Sequence, residues 1–180
     1  GHEVCNKEIS HDSKGLIDLI VAVDISKSME SAVEALSIGL PELIDSITNK
    51  YETYADVAIF GNGSYDVCPF SFPLEMSPQR AENSAVASYL SGLTPTSTPY
   101  NYEGYYSMLM QIADHRYDYR PQAQRVIIML GNESAFAQAN KDGEEERTND
   151  MDCKNGGRKI TESEVVAKLQ ERGFQVFVIN

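Results

Sequence analysis

Long apolar runs are missing from this sequence of 180 residues. None approaches the ~20 residues that cross a bilayer, so the segment carries no membrane helix. Positive charge is scarce: 15 Lys and Arg stand against 27 Asp and Glu, for a net charge of -12. A chain so acidic repels phosphate backbones, which argues against nucleic acid as a partner. Cysteine is sparse and scattered. Cys5, Cys68 and Cys153 lack the paired spacing of a zinc site, and in an oxidising compartment an odd number leaves one without a partner in the chain. No glycine-rich loop follows a strand to cradle a nucleotide phosphate, and no Gly-x-Ser-x-Gly elbow is present for serine hydrolysis. His2, His11 and His115 have no partner spacing for metal or acid-base work. No basic-then-apolar leader opens the segment, and Gly1-His2 reads as a cut or expression junction.

What is present fits one folded domain. Hydrophobic residues make up 42% and charged residues 23%, ordinary for a globular chain with a single core. Residues 1–15 are polar and aperiodic and read as an amino-terminal arm; 16–180 read as the domain. The organising stretch is Leu16 to Met29. Leu16–Val23 is apolar on both faces, as expected of a central, parallel strand. It ends in Asp24, and Ser26 and Ser28 follow at two-residue steps in the turn that opens a helix. One carboxylate and two hydroxyls at that spacing can converge on a point, and such hard oxygen donors suit Mg2+ or Mn2+.

The rest of the chain alternates in kind. Met29, Val33, Leu36, Leu40, Leu43, Ile44 and Ile47 recur at helical spacing, with Pro41 expected to kink or divide the helix. Ala55–Phe60 reads as a strand, Gly61-Asn62-Gly63-Ser64 as a hairpin turn, and Tyr65–Phe72 as its antiparallel return at the sheet edge. A helix is expected from Pro78 to about Leu90, then a Thr/Ser/Pro-rich loop over 91–102. A second helix follows over roughly Glu103–Arg116, with Met108, Leu109 and Ile112 inward. Gln124–Leu130 is a strongly apolar strand, and Gly131-Asn132-Glu133-Ser134 stands at its carboxyl end, where open α/β sheets bind ligands. Residues 137–160 are charged and read as a solvated loop. Thr161 and Glu164 form a capping box, the helix they open stops at Gly173, and Phe174–Ile179 is a last strand. The expected fold is therefore α/β: a mostly parallel central sheet with one antiparallel edge hairpin and helices on both faces.

Asp24-Ile25-Ser26-Lys27-Ser28-Met29 after a buried strand resembles the Asp-x-Ser-x-Ser motif of von Willebrand factor A and integrin I domains, and the element order is similar over nearly the whole chain. Glu103-Gly104 ahead of Tyr105-Tyr106-Ser107-Met108, the strand Arg125–Leu130, and Asn149-Asp150 before Cys153 resemble the I-like domain of integrin β subunits. Apicomplexan thrombospondin-related adhesins are a second relative in pattern, through the early cysteine. The resemblance implies a metal-ion-dependent adhesion site held by Asp24, Ser26, Ser28 and Glu103, with Mg2+ or Mn2+ bound and Ca2+ also compatible. Thr94, Thr96 or Thr98 would be alternative ligands, and Asn132 an outer-shell group where the family usually has Asp. Against that fold the sequence stops short of the usual last helix and strand, so either the segment is cut or those elements have been lost. The resemblance also implies an extracellular or cell-surface fragment of a larger anchored or secreted protein. Its partner would be a protein presenting an Asp or Glu carboxylate, or another subunit or domain. Ser31 and Ala32 stand where β subunits place acids, so the flanking site is expected to be absent.

Other readings compete with these. Asp24, Ser26 and Ser28 are also good helix caps, and Glu103 also suits the first turn of a helix dipole. Asn132 also suits a loop. Lys27 would steer an acidic partner or simply be solvated. Tyr100, Tyr102, Tyr105 and Tyr106 form an aromatic cluster beside the site, some of it core and some of it, Tyr100 and Tyr102 foremost, ligand surface. The Asp150-Met151-Asp152 stretch lacks the glycine and Glu spacing of an EF-hand. Sequons at Asn62 and Asn132 permit glycosylation. The expected role is non-enzymatic adhesion or recognition. The rivals are a scaffold of the same fold with a metal-free site, and a metal-dependent phosphatase or hydrolase using Asp24, which lacks a positioned general base.

Overall fold

The computed structural model describes residues 15–25, 27–60, 88–94, 105–114, 119–131, 151–152, 158–159 and 161–179. The apolar run that opens the domain forms β1, Gly15–Asp24, and Tyr51–Phe60 forms β2, Gln124–Leu130 β3 and Phe174–Ile179 β6. The four make one sheet in the order β2-β1-β3-β6. Every pair in it is parallel: Gly15 to Asp24 run beside Tyr51 to Phe60, Ile17 to Val23 beside Gln124 to Leu130, and Arg125 to Leu130 beside Phe174 to Ile179. The return strand expected at Tyr65–Phe72 lies outside the described residues, and among these the antiparallel edge hairpin finds no support. β2 also starts earlier than its apolar half, at Tyr51. Backbone pairing with β1 recruits the polar residues that periodicity had left out.

Alternation along the central strands separates two cores. Leu19, Val21 and Val23 face one side with Val57, Ile128 and Leu130, under Val33, Leu40 and Ile44 of helix α1, Glu30–Thr48. Ile20, Ala22, Ala58, Ile127 and Met129 face the other, under Tyr105, Met108 and Ile112 of α2, Tyr105–Ala113, and Val165 and Leu169 of α3, Glu162–Glu171. Helices thus cover both faces. Each fully buried Leu, Ile or Val contributes roughly 1.5–3 kcal/mol of transfer free energy, which is why β1, closed on both sides, anchors the sheet.

Three expectations are corrected. α1 runs unbroken through Pro41. An interior proline costs about 3 kcal/mol, but Val33 and Leu40 before it and Ile44 after it pack on the same face of the sheet, and burial on both sides carries the helix across. Leu43, expected inward, is exposed. The stretch expected to be loop throughout over 137–160 contains a short antiparallel ladder, β4 Met151–Asp152 with β5 Arg158–Lys159. Its few backbone bonds leave no periodic trace in a charged sequence.

The capping box is present: Glu164 N–H donates to Thr161 Oγ1 at 3.3 Å, and Thr161 N–H donates to Glu164 Oε2 at 2.9 Å. At the other end, Gly173 takes φ +72°, a conformation open to glycine at little cost. Gly39, by contrast, lies inside α1 with nothing within 4 Å of an added Cβ. Gly39→Ala should therefore raise stability by about 0.5–1 kcal/mol, read as a higher urea midpoint at constant slope; an unchanged midpoint would count against it.

The lower end of β1 is fastened by a buried ion pair. Asp18 accepts from Arg120 Nε and from the Arg120 backbone N–H, each at 2.8 Å. The guanidinium lies 3.6 Å over the Tyr54 ring. Beside it Tyr119 donates to the Ile112 carbonyl at 2.8 Å. Burial first, and then the Asp56 and Asp18 carboxylates, push the Tyr119 hydroxyl above its ordinary range, so it stays neutral as a donor.

Candidate functional site

In an open parallel sheet, ligands bind beyond the carboxyl ends of the strands where the strand order reverses. Here the chain leaves β1 towards β2 on one side and later returns to β3 on the other. The reversal lies between β1 and β3, and their last residues are Asp24 and Leu130. Asp24 is fully buried. It belongs to the set of even-numbered β1 residues, with Ile20 and Ala22, that face α2.

Tyr105, the first residue of α2 and 2% exposed, donates from its hydroxyl to Asp24 Oδ2 at 3.3 Å. That distance is long for an O–H···O bond, whose usual value is about 2.7–2.8 Å. The phenol fits only because position 131 has no side chain. A Cβ on Gly131 would collide with the Tyr105 hydroxyl and lie 2.9 Å from ring carbons Cε1 and Cζ. Gly131 N–H in turn donates to the Ile179 carbonyl at 3.4 Å. The ends of β1, β3 and β6 and the start of α2 thus meet around one carboxylate.

Lys27–Met29 form a 3-10 turn, α1 starts only after Met29, and Met29 makes no side-chain cap. Asp24 is the last residue of β1 and accepts at Oδ2 from Tyr105. The intervening turn has moved the helix start several residues downstream. Lys27 is exposed, three residues beyond Asp24. Ser26 and the Ser28 side chain lie outside the described residues, as do Glu103, Asn132, Thr96, Thr98, Tyr100 and Tyr102. Thr94 is exposed, four residues beyond Leu90, which packs on the α1 side of the sheet. Of the aromatic cluster, Tyr105 is core and Tyr106 packs against it.

Among the described residues no three His, Cys, Asp or Glu side chains gather as a metal-binding group. A cation here would depend on the Asp24 carboxylate with hydroxyls and with Glu103, and that oxygen-only donor set fits a hard divalent ion rather than a soft one. Sequence reasoning found Asp24 but not the contact with Tyr105, which joins residues 81 positions apart. Its one visible sign was a tyrosine directly after the Glu103-Gly104 helix start.

No protein-family model matches the sequence, and no curated protein matches it. Among solved structures the chain is similar to proximal thread matrix protein 1 from the mussel byssus, at 13% identity and a TM-score of 0.62, over 92% of this chain and 38% of that one. A second structure of that protein, with a zinc-occupied MIDAS motif, is similar at 14% identity and a TM-score of 0.62, over 92% of this chain and 38% of that one. The pilus adhesin SpaC from Lactobacillus rhamnosus GG, in an open conformation, is similar at 15% identity and a TM-score of 0.56, over 91% of this chain and 24% of that one. The chain therefore spans well under half the length of these proteins. The likenesses establish the fold, a von Willebrand factor A-like α/β sheet.

Proposed function

We propose that this chain is a non-enzymatic adhesion or protein-recognition domain, outside the cell or on its surface, that binds an acidic protein ligand through a divalent cation held at Asp24. The observation that carries the reading is the buried Asp24 carboxylate at the switch point of the sheet, directly ahead of the Ser26 and Ser28 turn. A MIDAS motif that holds zinc in one neighbour and an adhesive role in another support it. Glu103-Gly104 and Asn149-Asp150 make the I-like domain of integrin β subunits the nearest pattern within that fold.

Asp24, Ser26, Ser28 and Glu103 would hold the ion, preferentially Mg2+ or Mn2+, and it would supply a Lewis-acidic position for a ligand carboxylate. The chain's own residues prepare that position. Tyr105 orients the carboxylate, and burial keeps competing water from it. Exposed Lys27 offsets part of the repulsion that a net charge of -12 exerts on an incoming acid.

A metal-free interaction domain is the second reading. Asn132 in place of an acid favours it, as do Ser31 and Ala32 where the flanking acids would stand. Calorimetric titration of chelator-stripped protein with MgCl2 or MnCl2 separates the two. A saturable single-site isotherm is expected, and flat heats with both ions would leave the metal-free domain standing.

A further inference from the structure

We propose that Tyr105 is a specificity-determining residue that biases the Asp24 site towards small octahedral cations and against Ca2+. This rests on the reading of Asp24 as a metal ligand. An ionised carboxylate only accepts, so the 3.3 Å contact has the phenol as donor and Oδ2 as acceptor. The phenol occupies one of the two lone-pair directions of Oδ2 and so disfavours ligation through both oxygens at once. Mg2+ takes six ligands at ~2.0–2.1 Å and is served well by such a carboxylate, whereas Ca2+ reaches its 6–8 ligands at ~2.3–2.6 Å partly through two-oxygen carboxylates. The restriction therefore weighs more on the larger ion.

The phenol is not a side chain that happens to lie nearby. It is 2% exposed and packed with Met108, Ile127 and Met129. The absent Cβ of Gly131 makes its slot, since any side chain there would overlap the hydroxyl. Two positions far apart in sequence are thus shaped around one oxygen of one carboxylate.

The test is the ratio of Ca2+ to Mg2+ dissociation constants, by calorimetry on the whole chain. Tyr105→Phe removes one atom and keeps the packing. It should shift the ratio about tenfold towards Ca2+, the size expected for releasing one hydrogen bond to a charged group. Gly131→Ala keeps the hydroxyl but displaces it, and should shift the ratio in the same direction. A ratio that stays at the parent value in Tyr105→Phe while both ions still bind overturns the role of Tyr105 and leaves the cation site intact. Absence of binding by the parent to either ion overturns both.

Discussion

Asp24→Ala is expected to remove cation binding while the sheet stays folded. Loss of a mere outer partner of a metal ligand typically costs 10–100-fold in affinity, so loss of a ligand carboxylate itself should weaken binding by more than about 100-fold. Two opposing terms govern stability in chelator. The variant forfeits the Tyr105 contact, about 1.5–3 kcal/mol for a hydrogen bond to a charged group. It also removes a fully buried carboxylate, whose desolvation opposes folding when no cation offsets it. The net change without metal should be small. With Mg2+ at a hundred times its dissociation constant, the parent gains about 2.7 kcal/mol, a rise in Tm of roughly 5–10 °C for a chain of this length. The variant gains none. Thermal melts of both proteins in EDTA and in MgCl2 decide the matter: a metal-induced rise that survives in Asp24→Ala would place the ion elsewhere.

The largest effect on folding should come from the other end of the same strand. Arg120→Ala takes the opposite charge from Asp18, whose side chain is 1% exposed, and leaves it only the backbone N–H of position 120. Besides its two bonds to Asp18, Arg120 donates to the Ile17 carbonyl at 2.8 Å and to the Glu52 carbonyl at 3.2 Å. One planar group thereby fastens the segment leading into β3 to both β1 and β2. Removing one partner of a buried pair typically costs 3–5 kcal/mol, because a charge stays buried without compensation. Arg120→Lys should recover little, since an ammonium cannot reproduce the fork or the stacking over Tyr54. Asp18→Leu combined with Arg120→Met should recover most of the loss, as replacing both members of such a pair often does. Urea unfolding of the series measures these differences. A loss below ~1 kcal/mol for Arg120→Ala, the range of exposed ion pairs, would mean that the pair is solvated.

How much the sequence disclosed depended on the range of the cause. β1 and the second half of β3 were visible because a strand closed on both faces is apolar where it is buried; β6 was visible from its apolar run alone, for Phe177, Val178 and Ile179 are exposed. The capping box was visible because both partners lie within one turn. α1 was recognised, but Pro41 was over-read: local propensity knows nothing of the sheet that Leu40 and Ile44 pack against. The polar half of β2 and the ladder of Met151 with Lys159 rest on backbone bonds to distant strands, which composition does not record. At the site, the motif gave Asp24 and its place at the strand end. The motif could not give the direction of Tyr105 or the reason Gly131 is glycine. Both depend on two crossovers that bring residues 24, 105 and 131 to one edge. Asp18, the charged residue inside the apolar run, was the clearest sign of a buried partner. Its partner, 102 residues away, carried no matching signal.

The all-parallel register has a kinetic consequence. Each strand must wait for a crossover before it pairs: Gly15 meets Tyr51, Ile17 meets Gln124, and Arg125 meets Phe174. Loop closure precedes the contacts that reward it, which makes such topologies slow to fold. During vectorial synthesis the first strand made gains its second neighbour only when β3 has been made. The rim that carries Asp24 should therefore be a late product of folding, closing only after the chain has emerged past Leu130.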